Sequence, residues 1–134
     1  MRVALIAACA PVIEDAVITG HDRDEIGILV FPSLAGCRSL CPHLGAEAPL
    51  SALIAEQAVR AALAAALARH NAQAGGSSHR VARALLLDVP PSIDRGEITD
   101  KGYINQRAVL TNRADLVTLL HADPPAAAIV VPAA

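Results

Sequence analysis

The order of elements along the chain predicts an α+β fold, with a small sheet of about three strands flanked by helices. Two β-rich segments lie close together in the first third of the sequence, and a third follows a long alanine-rich segment. Apolar residues at helical spacing occupy that long segment and another near the C-terminus. At 134 residues, the chain is long enough to bury about 70% of its unfolded surface around one core.

The first half is predicted to contain a short helix and two paired strands. Residues 3–9 are predicted to be helical, while residues 12–19 and 26–31 are rich in β-branched side chains. Glycine and aspartates between these two segments favour a turn, so the strands should pair antiparallel. Residues 34–40 are predicted to add one or two helical turns, and residues 45–49 a loop.

The second half is predicted to hold a long helix, a third strand and a final helix. The helix over residues 50–72 presents three apolar side chains on one face, Val59, Leu63 and Ala66. Glu56 and Arg60 lie one turn apart on another face and form a candidate ion pair. Residues 81–87 are predicted to form a strand, and residues 105–121 an amphipathic helix.

Charge and hydropathy argue against several classes of partner. The formal net charge is -2 and no basic tract stands out, so neither nucleic acid nor a membrane is an expected partner. The longest central apolar run, residues 61–68, is far shorter than the roughly 20 residues that cross a bilayer. Residues 1–9 end like a lipoprotein cleavage site, but their apolar stretch is short and follows a single arginine. A cytoplasmic location is therefore expected.

Three cysteines suggest reduced thiols and no metal site. An odd number of cysteines without a convincing export signal is typical of the cytosol. Cys37 and Cys41 lie close to His43, and thiolates with imidazole are zinc ligands. A structural zinc site normally needs four ligands, and no second pair is at hand. We therefore expect Cys9, Cys37 and Cys41 to be buried, free cysteines.

Lys101 is the only lysine of the chain and the first candidate for a functional side chain. An ammonium is a compact, mobile point charge that suits chemistry on phosphate or carboxylate groups better than the flat guanidinium of arginine does. Gly96 and Gly102 lie on either side of it, ahead of the final helix. The alternative interpretation is an ordinary solvated lysine in a loop.

Two other loops contain residue types found in functional sites. Gly75–Ser78 is rich in glycine and hydroxyls and is followed closely by Arg80, a composition that could hold a phosphate. Phosphate loops normally run from a strand into a helix, and here the predicted order is reversed, which favours a flexible turn. His21 and Asp22 are adjacent in a turn, without a serine or cysteine partner, and are interpreted as solvated.

Four segments carry a resemblance to a known family. Residues 96–110 resemble the C-terminal signature of the adenylate-forming acyl-CoA synthetases. The run Ile98-Thr-Asp-Lys-Gly-Tyr-Ile-Asn105 is similar to the feruloyl-CoA synthase branch, which carries it in place of the commoner Thr-Gly-Lys form. Residues 11–27, 71–78 and 80–87 resemble the same family, in family order, and the likeness extends from about residue 2 to residue 121.

The resemblance implies a division of the chain and a role for Lys101. Residues 1–123 would be the small C-terminal (lid) domain of an acyl-CoA synthetase, and residues 124–134 a loose tail rich in alanine and proline. The large N-terminal domain and the hinge of such enzymes are absent from this sequence. Family lysines that match Lys101 neutralise negative charge during adenylation, so it is the predicted catalytic residue. Four neighbours would shape its loop: Gly96, Glu97, Thr99 and Gly102.

Three hypotheses about function follow from the resemblance. The first is the C-terminal portion of an ATP-dependent aromatic (feruloyl-type) acid–CoA ligase, inactive alone and partnered by a large adenylation domain. ATP, Mg2+ and coenzyme A would serve the complete enzyme, with none expected to bind this chain alone. The alternative is a stand-alone interaction or regulatory domain that docks onto a separate large subunit or self-associates. The third is a nonfunctional remnant. Whether this chain acts as an enzyme is left open, because the main active-site domain is missing from it.

Overall fold

The computed structural model describes residues 2–20, 25–45, 47–73 and 80–133, and a four-stranded sheet lies at its centre. In sequence order, which is also the order in the sheet, the strands are β1 (Ile13–Thr19), β2 (Ile26–Pro32), β3 (Val81–Leu86) and β4 (Ile129–Val130). β1 pairs antiparallel with β2, β2 parallel with β3, and β3 antiparallel with β4. Residues 21–22 and 75–78, interpreted above as turns, lie outside the described residues.

Helices cover both faces of the sheet. They are α1 (Arg2–Ala8), α2 (Leu34–Leu40), α3 (Leu50–Ala55), α4 (Gln57–Gln73), α5 (Gln106–Asn112) and α6 (Ala114–Leu120). In β2, Ile28 and Val30 belong to the core shared with the first four helices, whereas Leu29 and Phe31 belong to the core under α5 and α6. An uninterrupted apolar run is what a strand buried on both faces requires.

The α+β class, the antiparallel first pair and the third strand are confirmed, and the sheet contains one short strand, β4, in addition to the roughly three that were expected. β4 lies within the tail that the sequence predicts to be loose, and Ile129 and Val130 are buried. The Arg60 guanidinium holds this segment by donating to the carbonyls of Ala127 and Ile129 at 2.7 and 3.2 Å. A two-residue strand is too short to give a recognisable sequence pattern.

Both long predicted helices are broken once. The first break is at Glu56, whose ψ of 136° is extended, and its carboxylate pairs with His43 at 3.1 Å. The predicted Glu56–Arg60 ion pair is therefore wrong, since Arg60 reaches the tail instead. The second break, at Arg113, lets α5 pack on β1 while α6 turns to pack on β2 and β3.

The three cysteines are free and buried, as predicted. Desolvation by burial raises the pKa of the Cys9 and Cys37 thiols to about 11, so both are protonated and unreactive at neutral pH. In the described part of the chain, no group of three or more His, Cys, Asp and Glu side chains is placed to hold a metal ion. No helix within the described ranges is long and apolar enough to cross a membrane.

Gly36 in α2 packs closely against Pro11, in the turn between α1 and β1. A Cβ added at Gly36 would overlap the backbone carbonyl of Pro11, which cannot rotate away. We predict that Gly36→Ala lowers the free energy of unfolding by about 1–3 kcal/mol, as overpacking does elsewhere, despite the better helix propensity of alanine. Urea denaturation measures the change. Gly45→Ala is the matched control, because its added Cβ meets no atom within 4 Å. Equal stability of the two variants would contradict the prediction.

Candidate functional site

Residues 97–105 form a small hairpin, called here the Lys101 hairpin. Its two arms are paired antiparallel through Ile98 and Ile104. At its base, the Asn105 N–H donates to the Glu97 carbonyl at 2.8 Å. The hairpin leads directly into α5, because the Asn105 side chain caps that helix by accepting from the Ala108 N–H at 3.2 Å.

The tip of the hairpin is a three-residue loop made by Asp100, Lys101 and Gly102. The Thr99 carbonyl accepts from the Gly102 N–H at 2.9 Å, and the Thr99 N–H donates to the Tyr103 carbonyl at 2.7 Å. Gly102 has a φ of 85°, the left-handed conformation that such loops require at their third position and that glycine adopts without strain. Local sequence therefore explains why Lys101 is exposed at the tip.

A buried carboxylate lies at the base of the hairpin. Glu97 is only 1% exposed, and its two oxygens accept four hydrogen bonds. Oε1 accepts from the Ser92 N–H and from Arg113 Nη2, both at 2.9 Å. Oε2 accepts from Arg113 Nε at 3.0 Å and, more weakly, from Asn112 Nδ2 at 3.5 Å. The two-point contact with one guanidinium is the strong, geometrically specific form of this pair.

Arg113 connects this carboxylate to the rest of the fold. Besides Glu97, its guanidinium donates to the carbonyls of Val89 and Pro90, at 2.8 and 3.0 Å, in the loop that follows β3. Its central carbon lies 5.0 Å from the centroid of the Phe31 ring, within the range of a cation–π contact. The side chain sits at the break between α5 and α6, so one residue joins the hairpin, a loop, the sheet and the helices.

The start of α5 is fixed to the sheet independently. Gln106 donates from Nε2 to the Ala16 carbonyl at 3.1 Å and accepts from the Ile18 N–H at Oε1 at 3.2 Å. The side-chain amide thus satisfies backbone groups on the outer edge of β1, which no other strand of the described residues covers. This contact places the end of the Lys101 hairpin beside the first strand.

An open pocket of about 240 Å³ lies beside the hairpin. Its lining comes from β1, β2, the loop after β3 and the hairpin: Glu14, Asp15, Phe31, Pro91, Ile98, Gly102 and Ile104. The floor is apolar and two carboxylates stand at the β1 side. Lys101 does not line this pocket, and its side chain is exposed at the tip of the hairpin, beyond the anchored base.

The predicted site residue, Lys101, lies exposed at the tip of the hairpin, but no sequence pattern indicated the contacts that support that hairpin. The loop-shaping residues implied by the resemblance do lie in its turns: Gly96 has a φ of 76°, and Thr99 and Gly102 close the tip. Arg113 was missed, and so was the burial of Glu97. They lie sixteen residues apart in different elements, far beyond the three- or four-residue spacing that brings side chains together on one helix, so no local pattern links them.

The Glu97 carboxylate makes the stability of the domain depend on pH. Its hydrogen bonds with Arg113, above all other causes, lower the pKa of Glu97 from 4.5 to about 2. Because the folded-state pKa is depressed, the carboxylate stabilises the fold above about pH 4.5, and this contribution is lost as the pH falls towards 2. It amounts to about 3 kcal/mol at neutral pH. In urea denaturation, the difference in free energy of unfolding between wild type and Glu97→Gln should become smaller as the pH is lowered from 6 to 3. A difference that stays constant over this pH range would contradict the lowered pKa of Glu97.

Comparison with known proteins assigns the sequence to a family. A model of the family described as "AMP-binding enzyme C-terminal domain" matches residues 3–123. None of the curated proteins compared with the chain matches it significantly.

A solved structure shares the fold. It is the A-PCP didomain of carboxylic acid reductase from Segniliparus rugosus, determined in complex with AMP. It matches with a TM-score of 0.57 at 20% sequence identity, over 85% of the present chain but only 15% of its own. The chain thus corresponds to a small part of that protein. Because the family match spans nearly the whole sequence, the chain belongs to the family of AMP-binding enzyme C-terminal domains.

Proposed function

We propose that this chain is the C-terminal portion of an ATP-dependent acid–CoA ligase and that Lys101 supplies its adenylation cation. One observation carries the proposal: the only lysine of the chain stands exposed at the tip of an anchored hairpin. Family membership supports the reaction class. The resemblance of residues 98–105 to the adenylate-forming synthetases supports the choice of Lys101.

The proposed reaction has two steps. A carboxylate attacks the α-phosphate of ATP, which gives an acyl-adenylate and releases pyrophosphate. The thiol of coenzyme A then attacks the acyl carbon and displaces AMP, leaving a thioester. In the first step several negative charges approach one another, and the Lys101 ammonium would neutralise charge on the carboxylate and α-phosphate oxygens. A donor of this kind contributes most in a closed site from which water is excluded.

The proposal assigns most of the active site to another domain. ATP, Mg2+ and coenzyme A belong to the complete enzyme, and a large N-terminal adenylation domain is the expected partner. The small share of the Segniliparus chain that is matched, 15%, is consistent with such a division. The choice of an aromatic, feruloyl-type acid rests on the branch resemblance of residues 98–105 alone.

A second candidate is an interaction domain that docks onto a separate subunit or onto itself. Three large apolar side chains in the segment around the hairpin favour a docking role: Val89, Ile93 and Tyr103 are 59, 74 and 66% exposed. Sedimentation of the chain alone and with a large domain distinguishes the cases. Self-association without binding to the large domain would favour this candidate over the ligase portion.

Replacement of Lys101 should abolish adenylation without affecting folding. Mixed with a large domain from an aromatic acid–CoA ligase, ATP, Mg2+ and ferulate, the wild-type chain should support pyrophosphate release. Lys101→Ala should lower that rate about 100- to 1000-fold, the loss typical of one preorganised donor. Its unfolding midpoint should stay unchanged, since Lys101 is exposed.

Arg69→Ala is the matched control for this experiment. Arg69 is also an exposed cation, but it belongs to α4, on the opposite face of the sheet from α5 and α6. Equal activity of wild type and Lys101→Ala would overturn the role of Lys101. Equal losses in both variants would point to a general effect of charge.

The single lysine also permits a chemical test. An amine-selective acylating reagent should modify one lysine per chain, at Lys101, besides the terminal amine. Addition of the large domain, ATP and acid should slow this labelling, because the proposed closed complex surrounds Lys101. Mass spectrometry of the peptide that contains residue 101 measures the rate. An unchanged rate in a complex that demonstrably forms would contradict insertion of Lys101 into the active site.

A further inference from the structure

We propose that Glu97 and Arg113 form a positioning pair for Lys101, fixing the direction in which the hairpin presents its ammonium. The inference rests on the proposed function for its catalytic consequence. The ordering of the hairpin by the pair can be tested without any activity. Neither residue touches a substrate in this proposal, so both act through Lys101.

The pair controls both arms of the hairpin from one point. The side chain of Glu97 is held by Arg113, and its backbone carbonyl accepts the Asn105 N–H that closes the base. Lys101 lies four residues from each of these ends. At about 3.3 Å per residue, the tip is roughly 13 Å from the base, so a tilt of about 5° moves it by about 1 Å. Misplacement on that scale can reduce a catalytic rate about 100-fold.

The contacts of Arg113 depend on the planar shape of its guanidinium as well as on its charge. Nε and Nη2 contact the two oxygens of Glu97, while Nη1 and Nη2 reach the carbonyls of Val89 and Pro90. One planar group thus engages four acceptors while its central carbon lies 5.0 Å from the centroid of the Phe31 ring. A lysine would retain the positive charge but could not reproduce this planar arrangement of donors.

Ionisation of Glu97 stabilises the fold relative to a protonated carboxyl, but stability alone is a poor explanation for having a charged pair here instead of an uncharged one. Removing charged groups from water carries a large desolvation cost, and uncharged replacements of a buried pair are often equally stable. What such replacements lose is directional, two-point hydrogen bonding. That loss matters most where a tip several residues away must meet a reacting group.

The described part of the chain offers a matched control in a second buried arginine, Arg83. The side chain of Arg83 is 10% exposed, the same as that of Arg113. It pairs with Asp123 at 2.7 Å and with Glu25 at 3.2 Å, and it donates to the carbonyls of Leu120 and Ala122. These contacts join β3 to the end of α6. Arg83→Lys is therefore the same substitution at a buried site, but these contacts of Arg83 include no residue of the hairpin.

The first test is hydrogen exchange of backbone amides in the chain alone. In Arg113→Lys, the amides of Thr99, Gly102 and Asn105, which close the hairpin, should exchange at least about tenfold faster than in wild type, relative to amides of β2. Arg83→Lys should leave that ratio unchanged. Unchanged exchange of the three hairpin amides in Arg113→Lys would overturn the proposal, whatever the activity of the protein.

The second test is a double-mutant cycle in the reconstituted enzyme. Arg113→Lys should lower kcat at least about tenfold with KM for ATP unchanged, whereas Arg83→Lys should retain kcat. In a Lys101→Ala background, Arg113→Lys should cause little further loss, because its effect passes through Lys101. A further loss of the same size, or an equal loss in Arg83→Lys, would overturn the positioning role.

A second variant keeps the proposal falsifiable if Arg113→Lys fails to fold. The double variant Glu97→Gln/Arg113→Met removes both charges and leaves an amide oxygen for the Ser92 N–H. It should fold, show fast hairpin exchange and have a low kcat. A folded double variant with wild-type hairpin exchange would overturn the pair. If the wild-type chain itself supports no adenylation, the proposed function fails, and the exchange result still decides whether Glu97 and Arg113 order the hairpin.

Discussion

The buried ion pair between Glu97 and Arg113 is the contact on which the candidate site depends. A carboxylate with 1% exposure must be compensated, and here one guanidinium supplies two of its four hydrogen bonds. The same guanidinium reaches the loop after β3 and the ring of Phe31 in β2. Because the charges cannot separate without leaving a buried group unpaired, the hairpin base has one favourable position relative to the sheet.

The sheet supplies the rigid base for this arrangement. Its two central strands are buried on both faces, with α1 to α4 on one side and α5 and α6 on the other. The outer edge of β1 is engaged by Gln106, while two-residue β4 lies at the other end of the sheet, held through Arg60. Side chains thus provide hydrogen bonds that neighbouring strands would supply in a larger sheet. The first of these contacts also places the start of α5, and with it the end of the Lys101 hairpin.

Within residues 97–113, the tip and the base of the hairpin differ in a way that fits the proposed reaction. The tip is short, exposed and closed by local hydrogen bonds, so its lysine can enter a partner domain. The base is buried and charged, so its direction is fixed by contacts far apart in sequence. In the proposed reaction, an exposed ammonium on an oriented support would provide both reach into another domain and placement accurate enough to meet developing charge.

The sequence by itself determined the elements whose causes are local. Apolar runs predicted three strands, Asp100-Lys-Gly102 contains the glycine that its turn needs, and a single lysine pointed to the tip. Only the tertiary structure decided the break at Arg113, the fourth strand in the tail and the burial of Glu97. These depend on groups separated by 16 to 69 residues, such as Arg60 and the Ile129 carbonyl. Such contacts leave no local pattern, because their energy arises from desolvation and pairing that exist only once the chain has folded.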